Sequence, residues 1–300
     1  MGLAAESPVN NETKIMSIAP SFNCQLKCEG CYLTTDATKE MRLATKTDYY
    51  WKRAMKMGVA NGYTELAMTL NPYPGAIEHA HTLAVMAKEA GFETVNVTMS
   101  WGNMDWDKQY ENLLRVVDIV TESVDENRKS HGARLIHDEM TDNSENIHYN
   151  LNILWSPNLM QQFVDKVGEA YKHITETIEL YQVLRHCFNA VKGDWTVQHL
   201  ILKPLSLYGD FDFETAYQTI MEDIPLAGDG GLHIGDVAFG NLLGLNDCPG
   251  KRMIDIDPMG FARRCPENPT AYDATDLMKL EGYLKNGIPN CGEACDCITG

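Results

Sequence analysis

The chain has no apolar run approaching the ~18 residues that a membrane-spanning helix needs. No basic, apolar leader is seen: "MGLAAESPVNNETK" is polar throughout, so a secretory signal is not expected. Glu6 stands where myristoylation wants Ser or Thr. Positive charge is scarce, with 25 Lys and Arg against 42 Asp and Glu and a formal net charge of -17 over 300 residues. Such a surface repels a phosphate backbone and an anionic bilayer, so neither nucleic acid nor membrane is expected as a partner. Internal repeats and low-complexity segments are absent too. A cytoplasmic protein with reduced thiols is expected.

Against that background the cysteines stand out. Nine are present, and eight cluster near the two ends: Cys24, Cys28 and Cys31, then Cys248, Cys265, Cys291, Cys295 and Cys297, with Cys187 alone between them. In a reducing compartment, clustered cysteines point to metal rather than to disulfides.

Strand-like and helix-like stretches alternate along most of the chain. "KIMSIAP", "YTELAMTL", "ETVNVTMS", "VVDIVTESVD", "IHYNLNILWS" and "TVQHLILKPLS" read as six strands. Helical stretches lie between them, among them Ala76 to Ala90, "DKQYENLLR" and "NLMQQFVDKVGEAYKHITETIELYQVLRH". Six strand–helix units predict an α/β fold with a parallel sheet, a partial (β/α)6 barrel over residues 15–226 behind a disordered segment or arm at 1–14. In such folds chemistry sits at the C-terminal ends of the strands. From residue 227 the composition changes. "GDGGLHIG" reads as a connector. "RMIDIDPMGFARRC" reads as a hairpin turning at Asp257-Pro258-Met259-Gly260, and "DATDLMKLEGYLKNG" as a capped helix ending at Gly287. Residues 227–300 are too few for a large core of their own, and a metal is the expected staple.

"CQLKCEGCY" places Cys24, Cys28 and Cys31 as C-x3-C-x2-C directly after the first strand. Structural zinc wants four ligands, usually as two separated pairs. Three thiolates in one tight loop suit a cubane cluster whose fourth iron stays open. In this loop and its position the chain resembles the radical S-adenosylmethionine (SAM) superfamily. The resemblance implies a [4Fe-4S] cluster on the three cysteines, with SAM on the open iron. It also implies reductive cleavage of SAM to a 5′-deoxyadenosyl radical that abstracts a hydrogen atom, and a reductant such as flavodoxin or ferredoxin. It implies Tyr32 beside the cluster and adenine, and Ser123 and Asp125 of "TESVD" on the ribose. The family's Gly-Gly-Glu-like stretch for the SAM amine is replaced by "TLNPYPG", where Asn71 offers an amide in place of the carboxylate.

The C-terminal set resembles the twitch and SPASM domains that follow some radical SAM barrels. Five cysteines suit the one-cluster twitch better than the seven-cysteine SPASM. That implies an auxiliary [4Fe-4S] cluster on Cys248, Cys265 and Cys291, with Cys295 and Cys297 competing for the fourth place; structural zinc on four of the five is the alternative. The implied reaction is oxidation or rearrangement of a small molecule. Radical modification of a ribosomal peptide or protein is the second reading, and a non-catalytic iron–sulfur or zinc-stapled protein the third.

The remaining candidates are single residues. No catalytic side chain is selected. Cys187 is either a thiol hydrogen donor or a small buried hydrophobe. His79 and His81 sit two apart on a helix and diverge. Nothing singles out one of His131, His137 and His148 as a base. Lys203, ending the sixth strand, offers a cation to an anionic group on substrate.

Overall fold

The computed structural model describes residues 13–26, 38–99, 109–124, 147–155, 195–201, 232–235, 252–266 and 270–289. Six strands lie where the sequence predicts them: β1 (Ile15–Ile18), β2 (Glu65–Leu70), β3 (Thr94–Met99), β4 (Ile119–Val124), β5 (His148–Trp155) and β6 (Trp195–Ile201). Each pairs in parallel with its neighbour in the chain. Helices α1 (Lys39–Leu43), α2 (Asp48–Ala60), α3 (Ala76–Ala90) and α4 (Gln109–Leu114) fall among them. The result is a mixed α/β fold on a parallel sheet.

Two more parallel strands extend that sheet. β7 (Leu232–Gly235) pairs with β6. Its four residues belong to "GDGGLHIG", which the sequence pattern makes a connector. A run so short shows no period, and only the ladder with β6 makes it a strand. β8 (Met253–Ile256) pairs in parallel with β1, so that Met16 faces Ile254 and Ile18 faces Ile256. β8 is the first arm of the predicted hairpin; β9 (Phe261–Arg263) is the second, and β10 (Tyr272–Asp273) follows it. The hairpin therefore continues the main sheet, in the order β10-β9-β8-β1-β2-β3-β4-β5-β6-β7. Pairing between residues more than two hundred apart leaves no local trace; it covers the polar edge that β1 would otherwise expose.

The faces of the sheet differ in chemistry. Met16, Ile18, Leu66, Met68, Leu70, Val95, Val97, Met99 and Val120 point to one side and are buried. Against them pack Trp51, Ala54 and Met55 of α2, Ile77, Ala80, Leu83, Ala84 and Ala87 of α3, and Leu113 and Leu114 of α4. The α3 set recurs every three or four residues, the spacing of one helix face. Gly58 lets α2 approach closely, since a Cβ there would sit 2.9 Å from Met16 Sδ. The other face carries Ser17, Thr69, Asn96, Thr98, Thr121, Ser123, Asn150 and Asn152, alternating with the apolar set by the two-residue period of a strand.

The C-terminal segment docks on the start of α2. Gly260, at φ +85°, closes the β8–β9 turn; a Cβ there would lie 2.7 Å from Lys46 Cε and 3.2 Å from Thr275 Cα. Asp257 Oδ1 accepts the Met259 and Phe261 amides at 3.0 and 2.9 Å. The Tyr50 hydroxyl donates to the Ala274 carbonyl at 2.8 Å. The predicted capped helix is α5 (Leu277–Asn286), with Asp276 Oδ1 accepting the Met278 amide and Gly287 following its last turn. It packs on α2 through the buried Leu280 and Leu284. Among the described residues no helix is long and apolar enough to cross a membrane.

Candidate functional site

β1 ends at Ile18, and the chain then crosses the C-terminal edge of the sheet to Cys24. Four contacts hold this crossing. The Ala19 amide donates to the Ile256 carbonyl at 3.0 Å and the Gln25 amide to the Pro72 carbonyl at 2.9 Å. Asn71 Nδ2 donates to the Ser21 carbonyl at 3.3 Å. Arg42 Nη1 reaches the Phe22 carbonyl at 2.6 Å. β8, the segment after β2, and α1 thus all support one loop. Phe22 is buried beside Ala19, with Met41 and Met259 against them.

Cys24 is half-buried, and its Sγ accepts the Leu26 amide at 3.3 Å. A backbone N–H aimed at sulfur favours the thiolate, the form that ligates iron. The donor chemistry at Cys24 therefore fits an iron–sulfur cluster. Cys28, Cys31 and Tyr32 lie outside the described residues, as do Asp125, Cys187, Cys248, Cys291, Cys295, Cys297, His131, His137 and Lys203. Among the described residues no group of three or more His, Cys, Asp or Glu side chains is arranged to hold a metal ion.

Asn71 is brought to the cysteine loop, with its amide nitrogen engaged by Ser21. Ser123 is half-buried on the polar face, in register with Asn152 of β5. Cys265 is half-buried just after β9. Because β9 runs against β8, Cys265 leaves toward the N-terminal edge of the parallel strands, while Cys24 leaves at the opposite edge. Five residues of strand separate the levels of Glu65 and Leu70, about 16 Å at 3.3 Å per residue. The two thiols thus leave the sheet at opposite edges.

Several further polar groups lie near the site. On the polar face Thr121 donates to Asn96 Oδ1 at 2.9 Å, Asn150 Nδ2 reaches Thr121 Oγ1 at 3.4 Å, and His148 Nε2 lies 2.9 Å from Asn150 Oδ1. Asn152 is buried in the same face, and its Oδ1 has no hydrogen-bond partner. A signal for this face was present. "TVNVTM" and "HYNLNILW" alternate polar and apolar residues, whereas a parallel strand buried between apolar layers reads as a continuous hydrophobic run. On β8, Asp255 is 1% exposed; one carboxylate oxygen accepts from Ser17 Oγ at 2.7 Å and the other, Oδ2, has no hydrogen-bond partner. Burial pushes its pKa up to about 7, against the Ser17 hydrogen bond and the Arg263 charge. Arg263 Nη1 in turn pairs with Asp257 Oδ2 at 3.2 Å. His79 lies between the Tyr73 hydroxyl and Asp48.

No family model matches the chain, and no curated protein matches it. Solved structures do. Native anSMEcpe with bound AdoMet superposes with a TM-score of 0.55 at 13% identity, over 91% of this chain and 81% of its own. A histidine-tagged form of anSMEcpe with bound AdoMet gives 0.52 at 11% identity, over 91% and 79%. Methylornithine synthase (PylB) gives 0.42 at 13% identity, over 92% and 82%. At these identities the likeness to anSMEcpe is one of fold.

Proposed function

We propose that this chain is a cytoplasmic radical SAM enzyme. Cys24, Cys28 and Cys31 hold a [4Fe-4S] cluster at the C-terminal edge of a sheet that curls into a partial barrel. The observation that carries this reading is the placement of Cys24: a half-buried thiol with an N–H on its sulfur, at the strand edge of a fold shared with two AdoMet-bound structures. The strand order supports the barrel, since β1 to β7 follow one another without the reversal of a doubly wound sheet.

When bound, the cluster supplies the electron that splits SAM into methionine and a 5′-deoxyadenosyl radical, which takes a hydrogen atom from substrate. The residues of this chain then have the work of binding and shielding. Tyr32 would lie against the adenine and Ser123 and Asp125 would hold the ribose, while Asn71 supports the loop from the segment after β2. A small molecule on the polar inner face is the substrate, oxidised or rearranged. A second [4Fe-4S] cluster is held by Cys248, Cys265 and Cys291, with Cys295 or Cys297 completing it. The exit of Cys24 and Cys265 at opposite edges of the sheet supports two separate centres. Flavodoxin or ferredoxin is the expected reductant.

Anaerobic reconstitution tests this. About eight irons per chain, with 5′-deoxyadenosine formed from SAM and dithionite, is the expected result for two four-iron clusters. Replacing Cys24, Cys28 and Cys31 together by Ala should abolish SAM cleavage. Cleavage retained in that variant overturns the proposal.

A further inference from the structure

The segment after β2, Asn71-Pro72-Tyr73-Pro74-Gly75, is fastened at both ends. At one end, Pro72 and Asn71 grip the chain on either side of Cys24, through the Gln25 amide and the Ser21 carbonyl. At the other, the Tyr73 hydroxyl lies 2.6 Å from His79 Nδ1, and His79 Nε2 lies 3.4 Å from Asp48 Oδ1. In the tautomer with the imidazole proton on Nε2, that proton faces the Asp48 carboxylate, which only accepts. Nδ1 then carries a lone pair and accepts from Tyr73. Burial, reinforced by the Asp48 charge, pushes the Tyr73 phenol up and keeps its proton in place for donation.

Helix α3 does not need this arrangement. The His79 amide already bonds the Gly75 carbonyl at 3.0 Å, and the Ala76 amide bonds the Tyr73 carbonyl at 3.0 Å. The side chains add something the backbone lacks: they fix the Tyr73 ring, one residue from the carbonyl that holds Gln25.

We infer that Asp48, His79 and Tyr73 are positioning residues for the cluster loop: the relay holds the Pro72 carbonyl on the Gln25 amide and so sets the Cys24 end of the SAM site. Its consequence for SAM rests on the radical SAM reading; its geometry does not.

The test uses the reconstituted protein and the variants Tyr73→Phe, His79→Leu and His79→Gln. Three quantities are read: iron content, hydrogen exchange of the Gln25 amide by fragment mass spectrometry, and SAM affinity from the change SAM makes in the reduced cluster's EPR signal. Tyr73→Phe and His79→Leu should each speed exchange at Gln25 and weaken SAM binding, by about tenfold for the loss of one anchoring hydrogen bond, with iron content unchanged. His79→Gln should restore both, since its Oε1 accepts from Tyr73 and its Nε2 donates to Asp48. A tie that merely joins α2 to α3 would lower global stability and leave Gln25 as it was. Unchanged exchange in Tyr73→Phe and His79→Leu, or a His79→Gln variant as impaired as His79→Leu, overturns the relay. Faster exchange with unaltered SAM affinity overturns its reach into the site. A wild-type protein without a SAM-responsive cluster overturns the radical SAM reading instead, and the exchange measurement still decides the relay.

Discussion

Asp255 makes the stability of this protein depend on pH in a direction opposite to most carboxylates. The perturbation is Asp255→Asn, which keeps an oxygen for the Ser17 hydroxyl and removes the charge. In the folded chain burial raises the Asp255 pKa from 3.8 to about 7; Ser17 and Arg263 pull it down, and Asp257 and Cys265 push it further up. Unfolded, the group returns to its ordinary value. Between those two pH values the folded state holds one proton more than the unfolded state, so stability falls as pH rises, by about 1.4 kcal/mol per pH unit. The contribution is fully present below pH 3.8 and is lost as pH climbs through 7. From pH 5 to pH 8 the loss comes to about 3 kcal/mol. Urea unfolding read from the fluorescence of the fully buried Trp51 measures it. The wild type should lose that amount relative to Asp255→Asn, and the variant should be the more stable of the two at pH 8. Parallel curves for both proteins, or a variant less stable at pH 8, would refute the placement of a charge-poor carboxyl in this sheet.

Other substitutions probe the packing and the seam. Leu83→Ala opens a cavity between α3 and the sheet and should cost about 2–5 kcal/mol in thermal unfolding. Gly260→Ala meets both a positive φ and three close neighbours, so roughly 1–3 kcal/mol of destabilisation is expected by calorimetry. Tyr50→Phe leaves the Ala274 carbonyl without its donor, at about 1–3 kcal/mol, and should speed amide exchange around residues 272–276 more than in α3. Deleting everything after residue 250 uncovers the β1 edge and should yield aggregated protein in size-exclusion chromatography.

The sequence was informative where structure is local. α3 begins and ends at the residues its apolar spacing and glycines indicate, and α5 has the Asp276 cap and Gly287 stop that its composition announces. Cys24 lies at a strand edge because an apolar run directly before a cysteine loop is a readable arrangement. The features that escaped are non-local or two-sided. β7 is four residues long and exists through its ladder with β6. β8 looks like half of a hairpin, and nothing in "MIDI" says that its other side pairs with β1. The burial of Asp255 has no sequence signal, because alternation gives a face and not its burial. The Tyr73–His79–Asp48 chain joins a loop to two helices through side chains spread over 32 residues, from 48 to 79, and no motif encodes such a path.

The seam between β8 and β1 changes what the C-terminal segment means for the site. A metal-stapled appendage, attached by a linker, would leave the cysteine loop untouched on its removal. Here the loop's first anchor, the Ala19 amide, is held by the last carbonyl of β8, and the turn after β8 places Met259 against Phe22 and Ala19. The same turn docks on Lys46 and Tyr50 at the start of α2, the helix whose first residue is Asp48. Cys24 thus depends on one support from the C-terminal hairpin and another from the segment after β2, and the second runs through Tyr73 and His79 to that same end of α2. Both supports converge on residues 46–50. A shift of α2 at its N-terminus would therefore move both anchors of the loop together, which preserves the loop's shape while displacing it across the sheet edge.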